Sequence, residues 1–301
     1  MISRKRFDGF PVWFFFLYLA TVHSSAQDFS KVEFQTVKVT EEVFFLAGGG
    51  GNIAVLIGND GLFVVDTSFA ELYEKVKAAI QKISDKSVKL VALTHQHYDH
   101  VNGNQDFAES GALICAHENV RKGMQIQWSF PGLPEIPPYP EVALPVLTFV
   151  DSISIHINDE EIRIFHLGPG HTTGDSIIHF IKANVIHVGD LYFNGGYPFI
   201  DVPHGGSIDG MIKSLGRVLS LINDDTKVIP GHGPLSNRAE LKTYLTMLST
   251  VRDRISDLIK EEKTLEEVLA AKPTAGFDRT PPAMMPPDFF VKLVYEDLSR
   301  E

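Results

Sequence analysis

The stretch THQHYDHVNG, residues 94–103, places three histidines and an aspartate within six positions, His95 to His100. It follows the apolar run VKLVAL, residues 88–93, which is typical of a short buried strand. In an extended segment, side chains two residues apart point to the same side, so His95 and His97 can reach one ion together. Asp99 and His100 follow where the chain would turn into a helix, and they can address a second ion. Because zinc prefers imidazole and carboxylate ligands, the stretch predicts a metal site.

Three later apolar runs also end at a histidine or a carboxylate. EIRIFHL precedes GPGH with His171, NVIHV precedes Gly-Asp190, and TKVI precedes PGH with His232. Loops at one edge of a sheet converge in space, so these side chains are expected to join the first cluster. His204, in IDVPHGGS, is a candidate for contact with substrate. Packing or hydrogen bonding in the core is predicted for the remaining strand histidines, His117, His156, His166, His179 and His187.

The periodicity predicts an α/β protein, α+β by layer order. Alternating runs between residues 31 and 67 indicate antiparallel strands. Helical spacing marks residues 71–84, 209–222 and 237–262, and Thr264 with Glu267 predicts a capping box. The two β-then-α halves favour an αββα sandwich, in which two mixed β-sheets are flanked by helices.

The N-terminus predicts a signal peptide over residues 1–26. Arg4, Lys5 and Arg6 precede the apolar run 10–22, and Ser24-Ser25-Ala26 offers a cleavage site. An uncleaved anchor is the alternative. We therefore expect an exported protein, periplasmic or secreted, without a stable membrane anchor after cleavage. Residues 27–250 are predicted to form the catalytic domain, and residues 251–301 a helical extension packed on it.

Composition limits the partners. The net charge of −11 disfavours nonspecific binding to nucleic acid, so a small-molecule substrate is expected. Cys115 is the single cysteine, so no internal disulfide forms, and its apolar strand predicts a small buried side chain.

Two segments beside the motifs have open roles. Gly48–Gly51 lack the Lys-Ser/Thr of a phosphate loop and predict a turn, or alternatively a flap over the site. The proline-rich residues 128–147 are either a surface connection or a wall of the substrate cleft. In the second case Trp128, Phe130 and Tyr139 are the candidate contacts.

The motif set resembles that of the metallo-β-lactamase superfamily. Residues 94–100 are similar to its HxHxDH signature, and GPGHTTGDS, GDLYF and IPGHGP are similar to its later motifs in the same order. The resemblance runs from about residue 35 to 250. It implies two ions: a first held by His95, His97 and His171, and a second held by Asp99, His100 and His232, with Asp190 bridging both.

The resemblance implies a dinuclear zinc hydrolase. A metal-bridging hydroxide would attack the carbonyl of an ester, thioester, lactone or β-lactam amide. Asp99 would also orient this nucleophile, and Tyr98 or Asn194 would donate to the oxyanion. Asp66 is a candidate hydrogen-bond partner for a ligand imidazole.

Alternatives remain within the resemblance. Asp190 stands where the commonest β-lactamases carry cysteine, so the ligand set is similar to that of glyoxalase II-type enzymes. A dedicated periplasmic β-lactamase, a sulfur dioxygenase with one iron and a non-catalytic metal-binding protein are the other possibilities. The oligomeric state stays open.

Overall fold

A computed structural model describes residues 28–128, 135–278 and 285–300. Its first sheet has seven strands in sequential order. Pairing is antiparallel from β1 to β4 and parallel from β4 to β7. The strands are β1 Gln35–Lys38, β2 Val43–Ala47, β3 Ile53–Leu56, β4 Leu62–Val65, β5 Val88–Ala92, β6 Leu113–His117 and β7 Leu147–Phe149.

The second sheet has six strands in the order β13-β12-β11-β10-β9-β8. All neighbours pair antiparallel except β11 and β12, which are parallel. The strands are β8 Ser152–Ile157, β9 Glu160–His166, β10 Ser176–Phe180, β11 Val185–His187, β12 Lys227–Ile229 and β13 Ser236–Asn237.

Helices cover the outer faces of both sheets. On the first sheet these are α1 Tyr73–Gln81, α2 Tyr98–Val101, α3 Asn104–Glu109 and α4 Glu118–Met124. On the second sheet they are α5 Ile208–Leu221, α6 Arg238–Lys260, α7 Leu265–Ala270 and α8 Pro287–Leu298. Across the described parts of the chain, none of the helices combines the length and the apolar composition that a membrane crossing requires.

Three apolar layers hold the sandwich together. The middle layer joins the sheets, for example through Phe63 of β4 and Phe180 of β10, whose ring centroids are 5.9 Å apart. The outer layers lie between each sheet and its helices. Strand β4 is buried along its whole length, because middle and outer layers cover its two faces. The predicted αββα sandwich of two mixed sheets is confirmed.

Most predicted elements are present. The capping box of Thr264 and Glu267 begins α7, and Cys115 is buried as expected. His117 and His187 are buried, but His156 is exposed on β8, so its predicted packing role was wrong. An edge strand with one solvated face leaves alternate side chains exposed, and His156 lies on that face.

The C-terminal helices form one packed group. Helix α6 runs across the predicted division at residue 250, and α8 packs on both α6 and α7. The division into two units stays a prediction. The predicted signal peptide lies outside the described residues.

Candidate metal centre

The site residues follow strand ends at one edge of the sandwich. His95 lies after β5, His97 precedes α2, and Asp99 and His100 lie in the first turn of α2. His171 follows β9, Asp190 lies in the 3₁₀ turn Gly189–Leu191 after β11, and His232 follows β12. The first sheet therefore supplies one half of the site and the second sheet the other half.

Four residues form the first cluster. The Nε2 atom of His171 lies 3.2 Å from Nε2 of His95 and 2.8 Å from Nδ1 of His97. The Oδ2 atom of Asp190 lies 3.4 Å from Nε2 of His171 and 3.8 Å from Nε2 of His95. All four residues offer ligand atoms within 4.8 Å of one another, as a single cation requires.

Asp99, His100 and His232 form the second cluster, again with ligand atoms within 4.8 Å. Asp99 Oδ2 and His232 Nε2 are 3.3 Å apart, and the Nε2 atoms of His100 and His232 are also 3.3 Å apart. Asp190 reaches this cluster as well, with Oδ1 3.1 Å from His100 Nε2 and Oδ2 3.3 Å from His232 Nε2. Its carboxylate thus lies between the two clusters.

Hydrogen bonds on the outer side fix four of the imidazoles. His97 donates from Nε2 to Asp201 Oδ2 at 3.0 Å, and His171 donates from Nδ1 to the Phe199 carbonyl at 2.7 Å. His100 donates from Nδ1 to Asp66 Oδ2 at 2.8 Å, which confirms Asp66 as an imidazole partner. His95 donates from Nδ1 to the Thr94 hydroxyl at 2.9 Å, because that hydroxyl donates to Asp66. Such partners select the tautomer of a metal-binding histidine.

These tautomers leave lone pairs that face one another. His95, His97 and His171 use their protons on the outer side, so their inner nitrogens meet at 2.8–3.2 Å without a hydrogen between them. Burial lowers the pKa of His171 to about 4 and holds the pKa of His95 well below its usual range, so both are neutral. A cation at the centre would turn this repulsion into coordination, so the residues fit a metal ion.

The carboxylates of the second cluster favour a bound cation. Although burial opposes the charged imidazole, Asp190 and Asp99 raise the pKa of His232 to about 10. Among the described residues, none donates a hydrogen bond to the buried Oδ1 atom of Asp190, although His100 lies near it. A buried carboxylate oxygen without a donor is costly, and a bound cation would satisfy it.

Aromatic rings lie at the accessible side of the site. Three site side chains keep exposed surface: 11% for His97, 27% for Asp99 and 12% for His232. Trp128 and Phe199 have ring centroids 6.1 and 5.8 Å from that of His97. Phe193 stacks on His232 at 5.0 Å. Apolar rings therefore border the exposed imidazoles.

The two predicted oxyanion donors have other partners. The Tyr98 ring packs on Phe69 at 5.4 Å, and its hydroxyl lies beside Asn102. Asn194 donates from its side-chain amide to the Pro234 carbonyl at 2.9 Å, and its backbone N–H donates to His232 O at 2.8 Å. Asn194 thus braces the His232 loop, and the catalytic roles of both residues stay predictions.

The proline-rich segment approaches the site at Trp128. The centroid of its indole ring lies 4.0 Å from that of the His204 ring. The Trp128 backbone pairs with that of Ile136. Tyr139 packs with the outer layer of the first sheet, where burial raises its pKa. Phe130 lies outside the described residues. The position of Trp128 agrees with the interpretation of the proline-rich segment as a wall of the substrate cleft.

Two residues of the site were not foreseen. Asp201 bonds both His97 and His204, the latter at 2.7 Å between Oδ1 and Nδ1. Gly51 packs so closely on His100 that a Cβ there would overlap the imidazole. In the sequence, the site role of Asp201 was indicated only by its position three residues before His204. The role of Gly51 was indicated only by the run of glycines, since one glycine is enough for a turn.

Comparison with known families agrees with this geometry. The model of the metallo-beta-lactamase superfamily matches residues 46–232, more than half of the chain. The chain belongs to the metallo-beta-lactamase superfamily, and it is a metal-dependent hydrolase.

Individual relatives are distant. The chain is 32% identical to the hydroxyacylglutathione hydrolase GloC of Haemophilus influenzae, over 51% of this chain and 74% of that protein. It is 24% identical to the acyl-coenzyme A thioesterase MBLAC2 of Bos taurus, over 64% of this chain and 76% of that protein. Among solved structures, a metallo-beta-lactamase from Pontibacter korlensis superposes with a TM-score of 0.61 at 16% identity, covering 72% and 99% of the two chains. That likeness shows the shared fold.

Proposed function

We propose that this protein is an exported dinuclear zinc hydrolase. Its substrate would contain a carbonyl ester, thioester, lactone or β-lactam amide bond. Bound zinc ions lower the pKa of water and stabilise negative charge on a carbonyl oxygen. The first would be held by His95, His97 and His171, the second by Asp99, His100 and His232, with Asp190 shared.

The observation that carries the proposal is the position of Asp190. One carboxylate faces both clusters, and its Oδ1 atom accepts no hydrogen bond from the part of the chain that the structure describes. A carboxylate shared between two cations is the arrangement of two-metal hydrolytic sites. The relatives add support, because two of them are named as a hydroxyacylglutathione hydrolase and an acyl-coenzyme A thioesterase.

The remaining groups of the site have supporting roles. Asp66, Asp201 and the Phe199 carbonyl hold the imidazoles in the tautomers that leave a lone pair inside. Asp99 is the most exposed carboxylate of the site, so it is placed to orient an incoming water by accepting a hydrogen bond. A metal-activated water would serve as the nucleophile, so neither a serine nor a cysteine is required, and Cys115 is buried in β6.

Metal content per chain tests the proposal. The full chain is purified without added metal and subjected to elemental analysis. Two zinc ions per chain are the expected result. One iron per chain would instead favour oxygen-dependent sulfur chemistry, and the dinuclear hydrolase would be abandoned.

Single replacements test the ligand assignment. His97→Ala should remove most of the bound metal and lower ester hydrolysis by about a hundredfold or more, because it deletes an inner nitrogen of the first cluster.

Asp190→Cys should retain metal, because a thiolate also binds zinc. Unchanged metal content in Asp190→Ala would show that Asp190 is not a ligand. His156→Ala, on the exposed face of β8, is the matched control and should alter neither quantity.

Export is proposed from the N-terminal sequence alone. Fractionation of cells that express the full chain should place the protein outside the cytoplasm, with an N-terminus near Gln27. Retention of residues 1–26 on a membrane-bound protein would favour the uncleaved anchor instead.

A further inference from the structure

We propose that an aromatic wall, formed by Trp128, Phe193 and Phe199, binds an uncharged apolar acyl group of the substrate. This inference rests on the proposed hydrolase function and specifies its substrate class. It assigns Phe199 as the central specificity-determining residue.

The wall lies beside the open face of the metal centre. The ring centroid of Phe199 lies 5.8 Å from that of His97 and 5.9 Å from that of His171. Trp128 contacts His97 from a second direction, and Phe193 stacks on His232. A substrate bound at the exposed atoms of His97 or His232 would therefore lie close to these rings.

The wall is held in a fixed shape. The Trp128 indole donates from Nε1 to the Gly123 carbonyl at 2.6 Å, and Trp128 and Ile136 exchange two backbone hydrogen bonds of 2.9 Å. The Phe199 carbonyl accepts from His171. Phe199 keeps partial exposure, whereas Trp128 and Phe193 are 5% and 6% exposed. Phe199 therefore presents the surface, and the other two rings back it.

Charge around the wall disfavours an anionic acyl group. The described segments that carry or border the site contain no lysine and no arginine; they are residues 48–52, 94–103, 125–128, 135–140, 168–176, 189–206 and 230–234. They do contain Asp99, Glu135, Asp175, Asp190 and Asp201.

Within the described residues, Arg300 is a cation that approaches this region from the end of α8. Its guanidinium is engaged there, because it donates a hydrogen bond to the Val202 carbonyl. A substrate carboxylate that lies on the wall, away from the proposed metal ions, would lose water without a lysine or arginine from the described segments around it, which is unfavourable. An alkyl chain would gain from burial instead.

Three esters with one leaving group test the acyl preference. The full-length, zinc-loaded protein is assayed with p-nitrophenyl acetate, p-nitrophenyl pentanoate and mono-p-nitrophenyl glutarate, whose acyl chain is pentanoate with a terminal carboxylate. We expect kcat/KM about tenfold higher for the pentanoate than for the acetate, because added methylenes bury apolar surface. The glutarate should fall about tenfold below the pentanoate. Equal or faster hydrolysis of the glutarate would overturn the inference while leaving the hydrolase in place.

Variants at Phe199 assign the effect to the wall. Phe199→Lys should reverse the pentanoate-to-glutarate preference, because the lysine places a cation on the wall. Phe199→Leu should keep most of this preference. The matched control is Phe44→Ala, a half-buried phenylalanine of β2 that packs with the outer layer of the first sheet. It should leave the preference unchanged. An unaltered preference in Phe199→Lys would show that the wall does not bind the acyl group.

Binding without turnover separates the two proposals. The chain has two tryptophans, so in a Trp13→Phe variant of the full chain Trp128 is the only indole fluorophore. Octanoate should change its emission at about tenfold lower concentration than octanedioate, which has equal length and a second carboxylate. This result together with no hydrolysis of any ester would refute the hydrolase alone. Equal effects of both acids would refute the wall.

Discussion

At the scale of single residues, Asp201 shows how a side chain outside both clusters shapes the metal centre. Its buried carboxylate accepts from His97 at 3.0 Å and from His204 at 2.7 Å. Its backbone N–H also donates to the His171 carbonyl at 2.9 Å. The carboxylate keeps the His97 proton on Nε2, so that Nδ1 presents its lone pair toward the centre.

Replacing Asp201 should therefore weaken metal binding. In Asp201→Asn the amide can accept from one histidine but turns an N–H₂ group toward the other, so we expect zinc affinity to fall about 10- to 100-fold. Competition with a chromogenic chelator measures this affinity. Asp175→Asn is the control, since burial raises the pKa of Asp175 to about 7 and its hydrogen bonds come from Thr172. Equal losses in both variants would contradict the role given to Asp201.

At the scale of elements, the β2–β3 connection is part of the site and not only a turn. The Gly51 N–H donates to the Asp99 carbonyl at 3.0 Å, and Gly50 has a φ of +72°. The Asn52 side chain donates to the Pro230 and Gly233 carbonyls at 2.9 Å, on either side of His232. The connection thus joins the α2 turn to the His232 loop.

A methyl group at Gly51 should displace His100. We expect Gly51→Ala to lower the zinc content from two ions toward one, because its Cβ would occupy the space of the imidazole. Gly216→Ala is the matched control: it lies in α5 with open space around the added carbon. That change should keep both ions and stabilise the fold by up to about 1 kcal/mol. Full zinc content in Gly51→Ala would mean that His100 does not bind metal.

Helix α8 is a second element that supports the site from a distance. Asp297 accepts from the Ile208 backbone N–H at 2.7 Å, at the start of α5, and Arg300 donates to the Val202 carbonyl. Both contacts hold the segment that carries Asp201 and His204. The C-terminal helix therefore stabilises the loop whose Asp201 orients His97.

Asp297→Ala should lower the free energy of unfolding by about 1–3 kcal/mol, because it removes the acceptor of a helix N-terminal N–H. Thermal or denaturant unfolding measures the change. Glu296→Ala, which breaks the exposed pair with Lys292, should cost less than about 1 kcal/mol. A larger loss for Glu296→Ala than for Asp297→Ala would contradict this account.

At the scale of the whole molecule, the candidate metal centre connects the two sheets. Ligand candidates after β5 belong to the first sheet, and those after β9, β11 and β12 belong to the second. The middle apolar layer joins the same sheets farther inside. A bound ion would therefore be a second connection between the halves of the sandwich.

Metal removal should lower the stability of the whole fold. Binding to the folded state alone adds about 2.7 kcal/mol when free metal is 100 times its Kd. We expect chelation to lower the Tm and zinc, but not magnesium, to restore it, since magnesium disfavours imidazole ligands. An identical Tm with and without chelator, in protein shown to contain zinc, would mean that the ions do not stabilise the fold.

Much of this architecture could be predicted because its signals are local. Apolar runs of strand length and helical spacings identified most elements, and the histidines after three strands, with Asp190 after a fourth, identified the clusters. The exposed His156 was missed because periodicity does not tell an edge strand from an inner one. The partners of Tyr98 and Asn194 could not be predicted, because proximity in sequence does not set the direction of a side chain.

The sequence by itself determined the element types, the αββα class and the seven candidate ligands, because these follow from spacing and residue chemistry. The resemblance implied that Asp190 bridges both ions, and the tertiary structure places its carboxylate between the two clusters. Only the tertiary structure decided that Asp201 orients His97 and that an uncharged aromatic wall borders the open face. Those features depend on residues about 30 to 100 positions apart, which meet only when both sheets pack. Packing between distant segments, which leaves no local pattern, set the details of the site.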